Sequence, residues 1–201
     1  MRRFLHLRSQ ALRGRPGGEA IEVLETAFGV VKLLAPRVFP DERGFFFESY
    51  NEREFFELGI SERFVQDNHS TSYKGVLRGL HYQLPHAQGK LIRVLQGCIH
   101  DVAVDLRKSS PTFGQWVGYE LSESNQRLLW IPTGFAHGFL TISNKAAVAY
   151  KATDFYAAES ERCILWNDPD LAIRWPLEKV VPKLSKKDDE GKFLKQADVF
   201  P

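Results

Sequence analysis

The chain has 201 residues, of which 43% are hydrophobic and 26% are charged, and its formal net charge is +2. This composition is typical of a globular protein with one core and excludes a largely disordered chain. No segment has the roughly 20 consecutive apolar residues of a membrane helix, and the charge balance does not favour non-specific nucleic-acid binding. We therefore expect neither a membrane nor a nucleic acid as a partner.

The start of the chain differs from the rest. Residues 1–18 contain five arginines and no acidic residue, and Gly17-Gly18 ends the segment. It lacks the apolar core of a secretory signal. We predict a basic, disordered extension of unexplained role over residues 1–20 and a single domain over residues 21–201. The two cysteines, Cys98 and Cys163, form no disulfide framework, which favours a reducing, cytoplasmic location.

Short segments of β-branched and aromatic residues, separated by turn residues, make up most of the chain. They cover residues 29–39, 44–50, 90–97, 99–107, 115–122, 127–132, 137–143 and 147–156. Several alternate with a period of two: from His100 to Leu106 the even-numbered positions share one face, and Asp101, Ala103 and Asp105 share the other. This spacing predicts an all-β sandwich or barrel of antiparallel strands.

Two short helices interrupt the strand pattern. The first is predicted over residues 52–58, where Asn51 can cap the helix and Gly59 can terminate it. The second is predicted near residues 185–195, which begin with a serine cap and acidic residues and end in lysines.

The segment LRGLHYQ, residues 77–83, places His81 on a strand close to Arg78, and Lys90 follows seven positions after Gln83. An unperturbed histidine titrates near ~6.5 and can act as a base when a carboxylate orients the ring. The residues alone do not identify that carboxylate, and a hydrogen-bonded structural histidine remains the alternative. Arg78 and His81 would lie on opposite faces of a regular strand unless Gly79 forms a bulge.

A metal site is another interpretation of the histidines. His81 and His137 offer two ligands, but a divalent cation needs three or four convergent donors. Gln83 stands where a metal-binding barrel would have a second histidine, and the ammonium of Lys90 would repel a cation. We therefore predict no metal.

Three further segments contain candidate binding residues. If residues 147–156 form one strand, Tyr150 and Tyr156 share a face, where one phenol can donate a proton and the other can stack; two half-buried tyrosines without such roles are the alternative. Three consecutive phenylalanines at 45–47 break the alternation, so at least one should face a partner or ligand. Residues 65–70, VQDNHS, suit hydrogen bonding to a ribose or base, and equally an ordinary turn.

Nine segments together resemble a known family. They are DERGFFFESY, FVQDNHS, VLRGLHYQ, QGKLIRV, DVAVDLRKSSPTFGQW, LWIPTGFAHGF, YKATDFY, ILWNDPDL and LSKKD, in the order found in dTDP-4-dehydrorhamnose 3,5-epimerases. The resemblance runs from about residue 21 to residue 196. It implies a cupin-type jelly-roll, a homodimer with exchanged strands, and an isomerase without a metal or any other cofactor. It also implies a cytoplasmic role in dTDP-L-rhamnose and polysaccharide biosynthesis.

The resemblance assigns roles to individual residues. In this family the histidine of RGLH, here His81, is the base, and the aspartate of LSxKD, here Asp188, is its partner. The tyrosine that opens YKxT, here Tyr150, is the acid, and Lys90 or Arg78 stabilises the developing oxyanion. Further substrate contacts match Arg43, Glu48, Gln66, Asn68, Arg78, His137, Tyr156, Glu161 and Lys187. Tyr156 corresponds to the tyrosine that stacks on thymine, and the contacts within residues 41–50 tend to come from the neighbouring subunit. His86 has no assigned role and is expected in an exposed loop.

The implied substrate is dTDP-4-dehydro-6-deoxy-D-glucose, whose 4-ketone acidifies the hydrogens on carbons 3 and 5. Removal of one by His81 gives an enolate, and protonation by Tyr150 from the opposite face inverts the carbon. Two such cycles yield dTDP-4-dehydro-L-rhamnose. The alternative within the class is a mono-epimerase for antibiotic deoxysugars, acting at carbon 3 or carbon 5 only. The alternative from another class is a non-catalytic sugar-binding cupin; a metal-dependent cupin is disfavoured by Gln83 and Lys90.

Overall fold

The computed structural model describes residues 21–177 and 181–201. The extension predicted over residues 1–20 lies outside the described residues. In chain order the elements are β1 (Ile21–Ala27), β2 (Val31–Pro36), β3 (Phe39–Asp41), β4 (Gly44–Phe46), α1 (Glu52–Glu57), β5 (Gln66–Tyr73), β6 (Leu77–Gln83), β7 (Lys90–Gln96), β8 (Cys98–Asp105), β9 (Trp116–Ser122), β10 (Leu128–Ile131), β11 (Phe135–Thr141), β12 (Lys145–Ala152), β13 (Glu161–Cys163) and α2 (Lys186–Asp189).

The described strands form two large sheets and a small hairpin. The six-stranded sheet has the order β1-β2-β10-β7-β12-β5, the five-stranded sheet has the order β13-β6-β11-β8-β9, and β3 pairs with β4. The ladders between these strands are antiparallel. The predicted all-β, cupin-type jelly-roll of antiparallel strands with a few short helices is therefore confirmed.

Three apolar clusters explain why so many strands are hydrophobic on both faces. The first lies between the two large sheets and includes Ile92 and Leu129 from one and Ala103 and Phe139 from the other. The second covers the outer face of the five-stranded sheet with residues that follow β13, such as Trp175. The third packs α1 against the outer face of the six-stranded sheet. Strands of the centre, such as β11, are consequently buried along their whole length.

The alternation predicted for residues 99–107 is confirmed. Ala103 lies in the cluster between the sheets, whereas Val102, Val104 and Leu106 lie in the cluster on the outer face. A register shift of one position would move each of these side chains into the other environment, so the period of two fixes the register of β8.

The helix over residues 52–57 confirms the first helix prediction. The Asn51 side chain accepts hydrogen bonds from the backbone N–H groups of Arg53 and Glu54, and Gly59 follows the helix with φ +76°. A left-handed backbone of this kind suits glycine, which has no Cβ to collide with the preceding turn.

The second helix prediction is correct in its cap and wrong in its length. Ser185 caps α2 in a reciprocal capping box with Asp188, but the helix ends at Asp189. The chain then turns so that Lys192 forms a bridge with Ile164, and the Lys192 carbonyl accepts from the N–H of Leu165 at 2.9 Å. Pairing with the segment after β13 thus replaces continued helix over the lysines.

Two further expectations about local structure need correction. Strand β12 ends at Ala152, so Tyr150 and Tyr156 do not lie on one continuous strand. Residues 66–70 belong to the extended strand β5, which excludes the ordinary turn considered for VQDNHS. None of the helices in the described ranges has the length and apolar character needed to cross a membrane.

Candidate active site

A bulge in β6 brings Arg78 and His81 to the same side of the sheet. On the neighbouring β11, Phe139 stands opposite Arg78 and His137 stands opposite His81, so three steps on β6 match two on β11. Gly79 lies in this irregularity with φ +109°. A Cβ there would come within 2.5 Å of the Gly138 Cα. Glycine is therefore required at this position, and the bulge left open by the sequence is present.

His81 forms a dyad with Asp188. The His81 Nε2 lies 2.6 Å from Asp188 Oδ1, although 107 positions separate the two residues. The His81 side chain is 28% exposed, whereas the Asp188 side chain is 4% exposed. A substrate can therefore reach the imidazole while the carboxylate stays behind it. This arrangement orients the ring and can stabilise a positive charge on it.

Asp188 is held in place by its position in the first turn of α2. Its Oδ2 accepts from the Ser185 hydroxyl at 2.6 Å, and its Oδ1 accepts from the backbone N–H of Gly79 at 3.2 Å. Burial acts to raise the pKa of Asp188, but the hydrogen bonds from His81, Ser185 and Gly79 outweigh it and lower the pKa to about 2. The group is therefore a carboxylate at neutral pH and is suited to support an imidazolium.

The dyad also has a sulfur neighbour. Within the described residues, donor atoms of His81, Cys163 and Asp188 lie within 4.8 Å of one another, a grouping that could in principle ligate a metal. However, the Asp188 oxygens already accept from His81, Gly79 and Ser185, and burial raises the pKa of the Cys163 thiol to about 12. The Asp188 oxygens are therefore engaged in hydrogen bonds, and the Cys163 sulfur remains a protonated thiol. The metal-free site stays a prediction.

Arg78 on β6 lies near enough to Tyr150 on β12 for its charge to act on the phenol. Burial raises the pKa of Tyr150, the positive charge of Arg78 lowers it, and the negative charge of Glu161 raises it. The Arg78 Nε donates to the Ser72 hydroxyl at 2.9 Å, which fixes the guanidinium near β5. Tyr150 therefore keeps its phenolic proton at neutral pH, as an acid must.

Lys90 begins β7 and is only 8% exposed. Burial lowers its pKa to about 8, and the charge of Glu161 opposes this shift. An ammonium with this pKa is still mostly charged near neutrality, and its low-dielectric surroundings strengthen its attraction for a developing oxyanion.

Glu161 links several of the predicted residues. Its carboxylate accepts from Lys187 Nζ at 2.7 Å and from the Tyr156 hydroxyl at 3.1 Å. Burial raises the pKa of Glu161, but the hydrogen bond and charge of Lys187, the hydrogen bond from Tyr156 and the charge of His81 produce a net lowering of that pKa. Lys187, Tyr156 and His81 thus lie around one carboxylate, and their role in binding a substrate stays a prediction.

Strand β5 supplies two amide side chains to the same region. Asn68 stands opposite Tyr150 in the β5–β12 ladder, and Gln66 donates to the Asn68 side chain at 3.0 Å. Gln66 also accepts from the backbone N–H of Tyr156 at 2.9 Å. Tyr156 therefore reaches the region from the segment after β12, rather than from the same strand as Tyr150.

A second histidine–carboxylate pair lies beside the first, and sequence reasoning missed its acidic member. The His137 Nε2 lies 2.9 Å from Asp101 Oδ2, and Asp101 is fully buried. His137 stands directly opposite His81 in the β6–β11 ladder. The available signal was the alternation in β8, which puts Asp101 on the same face as the apolar Ala103 and therefore in the interior.

Two predicted substrate contacts are not brought to this cluster within the chain. Arg43, at the tip of the β3–β4 hairpin, pairs with Asp41 at 2.6 Å and has an 84% exposed side chain. Glu48 accepts from the Asn51 side chain at 2.9 Å, next to the start of α1. Phe45 and Phe46 on the same hairpin are 60% and 71% exposed.

His86 lies in the loop after β6, as expected. Its side chain is 58% exposed, and its Nδ1 lies 3.4 Å from Asp154 Oδ2. This exposure agrees with the absence of an assigned role.

Comparison with known proteins places this geometry in context. The family model described as dTDP-4-dehydrorhamnose 3,5-epimerase matches residues 25–196. An enzyme of that name from Pseudomonas aeruginosa is 62% identical over 172 residues, which cover 85% of this chain and 94% of that protein. One from Salmonella typhimurium is 58% identical, with 87% of this chain and 96% of that protein covered. A crystal structure of dTDP-6-deoxy-D-glucose-3,5-epimerase from Legionella pneumophila, in complex with dTDP-4-keto-L-rhamnose, is 53% identical with a TM-score of 0.86, covering 89% of this chain and 95% of that one.

Proposed function

The chain belongs to the dTDP-4-dehydrorhamnose 3,5-epimerase family, and we propose that it converts dTDP-4-dehydro-6-deoxy-D-glucose to dTDP-4-dehydro-L-rhamnose in dTDP-L-rhamnose biosynthesis. Residues 21–201 act as one epimerase domain in this proposal. The observation that carries it is the dyad of a reachable His81 and a buried Asp188, 2.6 Å apart, in a cluster that also contains Tyr150 and a buried Lys90.

His81 acts as the base in this proposal. With the Nε2 proton directed at Asp188, the ring nitrogen Nδ1 has the lone pair that accepts a proton from carbon 3 or carbon 5. Both hydrogens are acidic because they lie alpha to the ketone at carbon 4. The Asp188 carboxylate stabilises the imidazolium that forms.

Lys90 and Arg78 oppose the charge that develops on the ketone oxygen. Proton removal converts the ketone to an enolate, and a cation fixed beside the oxygen before the reaction lowers the barrier without reorganising. Lys90 is held by its position at the start of β7, and Arg78 by its hydrogen bond to Ser72.

Tyr150 completes the inversion. Its phenol is protonated at neutral pH because burial raises its pKa, so it can donate a proton to the enolate carbon from the face opposite His81. Repeating the cycle at the other carbon inverts both centres. The reaction needs no redox cofactor because the ketone is already present in the substrate, and we propose a metal-independent site.

Binding of the nucleotide is assigned to residues at the edge of the cluster. Tyr156 stacks on the thymine ring, and Gln66, Asn68, His137, Glu161 and Lys187 contact the remainder of the substrate. Arg43 and Glu48 reach the site of a neighbouring subunit in a homodimer. The exposed phenylalanines of the β3–β4 hairpin support this assignment, because apolar side chains in water favour burial against a partner.

Solvent exchange tests the reaction. The protein is incubated in heavy water with the 4-keto-6-deoxy nucleotide sugar, and NMR follows carbons 3 and 5. Deuterium at both carbons is expected. Deuterium at one carbon only would identify a mono-epimerase, and binding without exchange would identify a sugar-binding module.

The dimer has a separate test. Phe46→Ser removes a 71% exposed phenylalanine from the hairpin, and analytical ultracentrifugation is expected to show weaker association than for the natural protein. Phe56→Ser, at a 66% exposed position on the outer side of α1, serves as the control. If both variants associate with themselves as strongly as the natural protein does, strand exchange through the hairpin is contradicted.

A cytoplasmic location is part of the proposed function.

A further inference from the structure

The segment between β12 and β13 carries Tyr156, yet little side-chain packing holds that tyrosine. Tyr156 is 57% exposed, and its hydroxyl donates a hydrogen bond to the Glu161 carboxylate at 3.1 Å. A ring in this situation is positioned mainly by its backbone. The hydrogen bonds of residues 154–157 therefore decide where the ring lies.

Gln83 makes the central contacts to this segment. Its amide nitrogen donates to the Phe155 carbonyl at 3.1 Å, and its amide oxygen accepts from the N–H of Ala157 at 3.0 Å. The same nitrogen donates to the His86 carbonyl at 2.6 Å. Gln83 is 3% exposed, so these bonds are shielded from water. The two residues that flank Tyr156 are thus tied to one buried side chain.

Two other glutamines bind the adjacent backbone groups. Gln66 from β5 accepts from the N–H of Tyr156 at 2.9 Å, and Gln88 from the loop after β6 donates to the Asp154 carbonyl at 2.8 Å. Each residue from 154 to 157 therefore has one backbone group bonded to a glutamine side chain. A primary amide has a donor and an acceptor on one planar group, so the Gln83 side chain can bond a carbonyl and an N–H group of this segment at the same time.

We propose that Gln66, Gln83 and Gln88 form an amide clamp, and that Gln83 is a positioning residue which fixes Tyr156 for binding of the nucleoside part of the substrate. This inference rests on the proposed function, in which Tyr156 stacks on the base. The clamp orders the segment before the ligand arrives, so less conformational freedom is lost on binding. Its loss weakens nucleotide binding more than it slows proton transfer at His81.

The first measurement compares Gln83→Leu with a matched control, Gln96→Leu, which changes an exposed glutamine on β7. Gln83→Leu is expected to raise the dissociation constant of dTDP and the KM about tenfold, which corresponds to loss of one or two hydrogen bonds. The kcat should change less than about threefold, because the reacting residues are untouched. Gln83→Glu should behave like Gln83→Leu, since a carboxylate oxygen would face the Phe155 carbonyl.

A double-mutant cycle tests whether Gln83 acts through Tyr156. In a Tyr156→Ala background, Gln83→Leu is expected to change the dTDP dissociation constant less than about twofold. Additive losses, or unchanged dTDP binding in Gln83→Leu, would overturn the clamp.

A second variant distinguishes a loss of dTDP binding from a failure to fold. If Gln83→Leu does not fold, Gln88→Leu removes the single bond to Asp154 and is expected to raise the dTDP dissociation constant about threefold; no change in binding then overturns the clamp. If the natural protein binds dTDP and exchanges both hydrogens, any failure concerns the clamp alone. If the natural protein does not bind dTDP, the proposed function and the clamp fall together.

Discussion

Arg78 and His81 lie on the same side of β6 although three positions separate them, because the strand bulges at Gly79. In a regular strand an odd separation would direct the guanidinium away from the imidazole. Burial raises the pKa of Tyr150, and the charge of Arg78, now on the same side as that phenol, partly offsets the rise, while His81 faces Asp188. One glycine thus allows one strand to supply both a base and a cation.

Substitution of Gly79 by alanine is expected to damage both stability and activity. The backbone has φ +109°, and a Cβ would come within 2.6 Å of the His137 carbonyl oxygen. Backbone strain and repulsion together should lower the free energy of unfolding by about 3 kcal/mol or more. Urea denaturation measures this change, and solvent exchange at carbons 3 and 5 measures the activity.

Gly29→Ala is the control for that experiment. Gly29 also has a left-handed backbone, with φ +73°, but nothing lies within 4 Å of a Cβ there. A loss of about 1 kcal/mol is expected from the backbone alone. Equal destabilisation by the two substitutions would show that the close approach of β11 is unimportant.

Asp188→Asn is expected to lower kcat about 10³-fold, because a neutral amide cannot stabilise the imidazolium as a carboxylate does. The adjacent exposed Asp189→Asn should leave kcat unchanged. Steady-state kinetics of both variants decide the point. A variant Asp188→Asn with full activity would contradict the dyad.

The same carboxylate predicts a pH dependence of stability. The folded pKa of Asp188 is about 2, below the ordinary 3.8, so the folded state prefers the ionised form. This contribution, about 2 kcal/mol, is present above pH 4 and is lost as the pH falls from about 4 to 2. Urea denaturation of the natural protein and of Asp188→Asn over this range should show their difference shrinking; a constant difference would contradict the shift.

Lys90→Met is expected to reduce activity and to increase stability. Burial lowers the folded pKa of Lys90 from the ordinary 10.5 to about 8, so the charged form costs up to about 3 kcal/mol below pH 8. The unfolded chain binds more protons between about pH 8 and 10.5, and the stability of the natural protein therefore rises relative to the variant across that window. Denaturation at pH 7 and pH 10 measures both values.

The pH dependence of the natural protein's activity should follow the ionisation of Lys90. The kcat/KM is expected to fall above about pH 8 as the ammonium loses its proton, and this limb should be absent in Lys90→Met. Lys145→Met, at an exposed position on β12, should retain the limb. A limb that persists in Lys90→Met would assign it to another residue.

Tyr150→Phe should separate proton removal from inversion. The variant lacks the acid but keeps His81, so substrate hydrogens should still exchange with heavy water while the original configuration is retained. NMR of the recovered nucleotide sugar distinguishes exchange from epimerisation. Tyr73→Phe, at a 66% exposed position on β5, should epimerise normally. Normal epimerisation by Tyr150→Phe would contradict its role as the acid.

Much of the fold was predictable from local sequence patterns. The period of two in β8 assigned each side chain to its face, and Asn51 and Gly59 marked the ends of α1. These predictions succeeded because they depend on neighbours within a few positions. The prediction of a helix over residues 185–195 was wrong beyond Asp189. There Lys192 pairs with Ile164, and local sequence does not reveal such a contact between distant segments.

The candidate site, like the fold, was only partly predictable from the sequence. The sequence by itself determined the chemical groups: a histidine, two cations and two tyrosines in segments whose order matches one family, which the comparisons confirm. Only the tertiary structure decided how they meet. It brought Asp188 to His81 across 107 positions, paired Asp101 with His137, bulged β6 at Gly79 and carried Tyr156 to Glu161 from outside β12. The physical reason is that strand period and helix caps are set by adjacent residues, whereas a hydrogen bond between sheets depends on which strands pair and in which register.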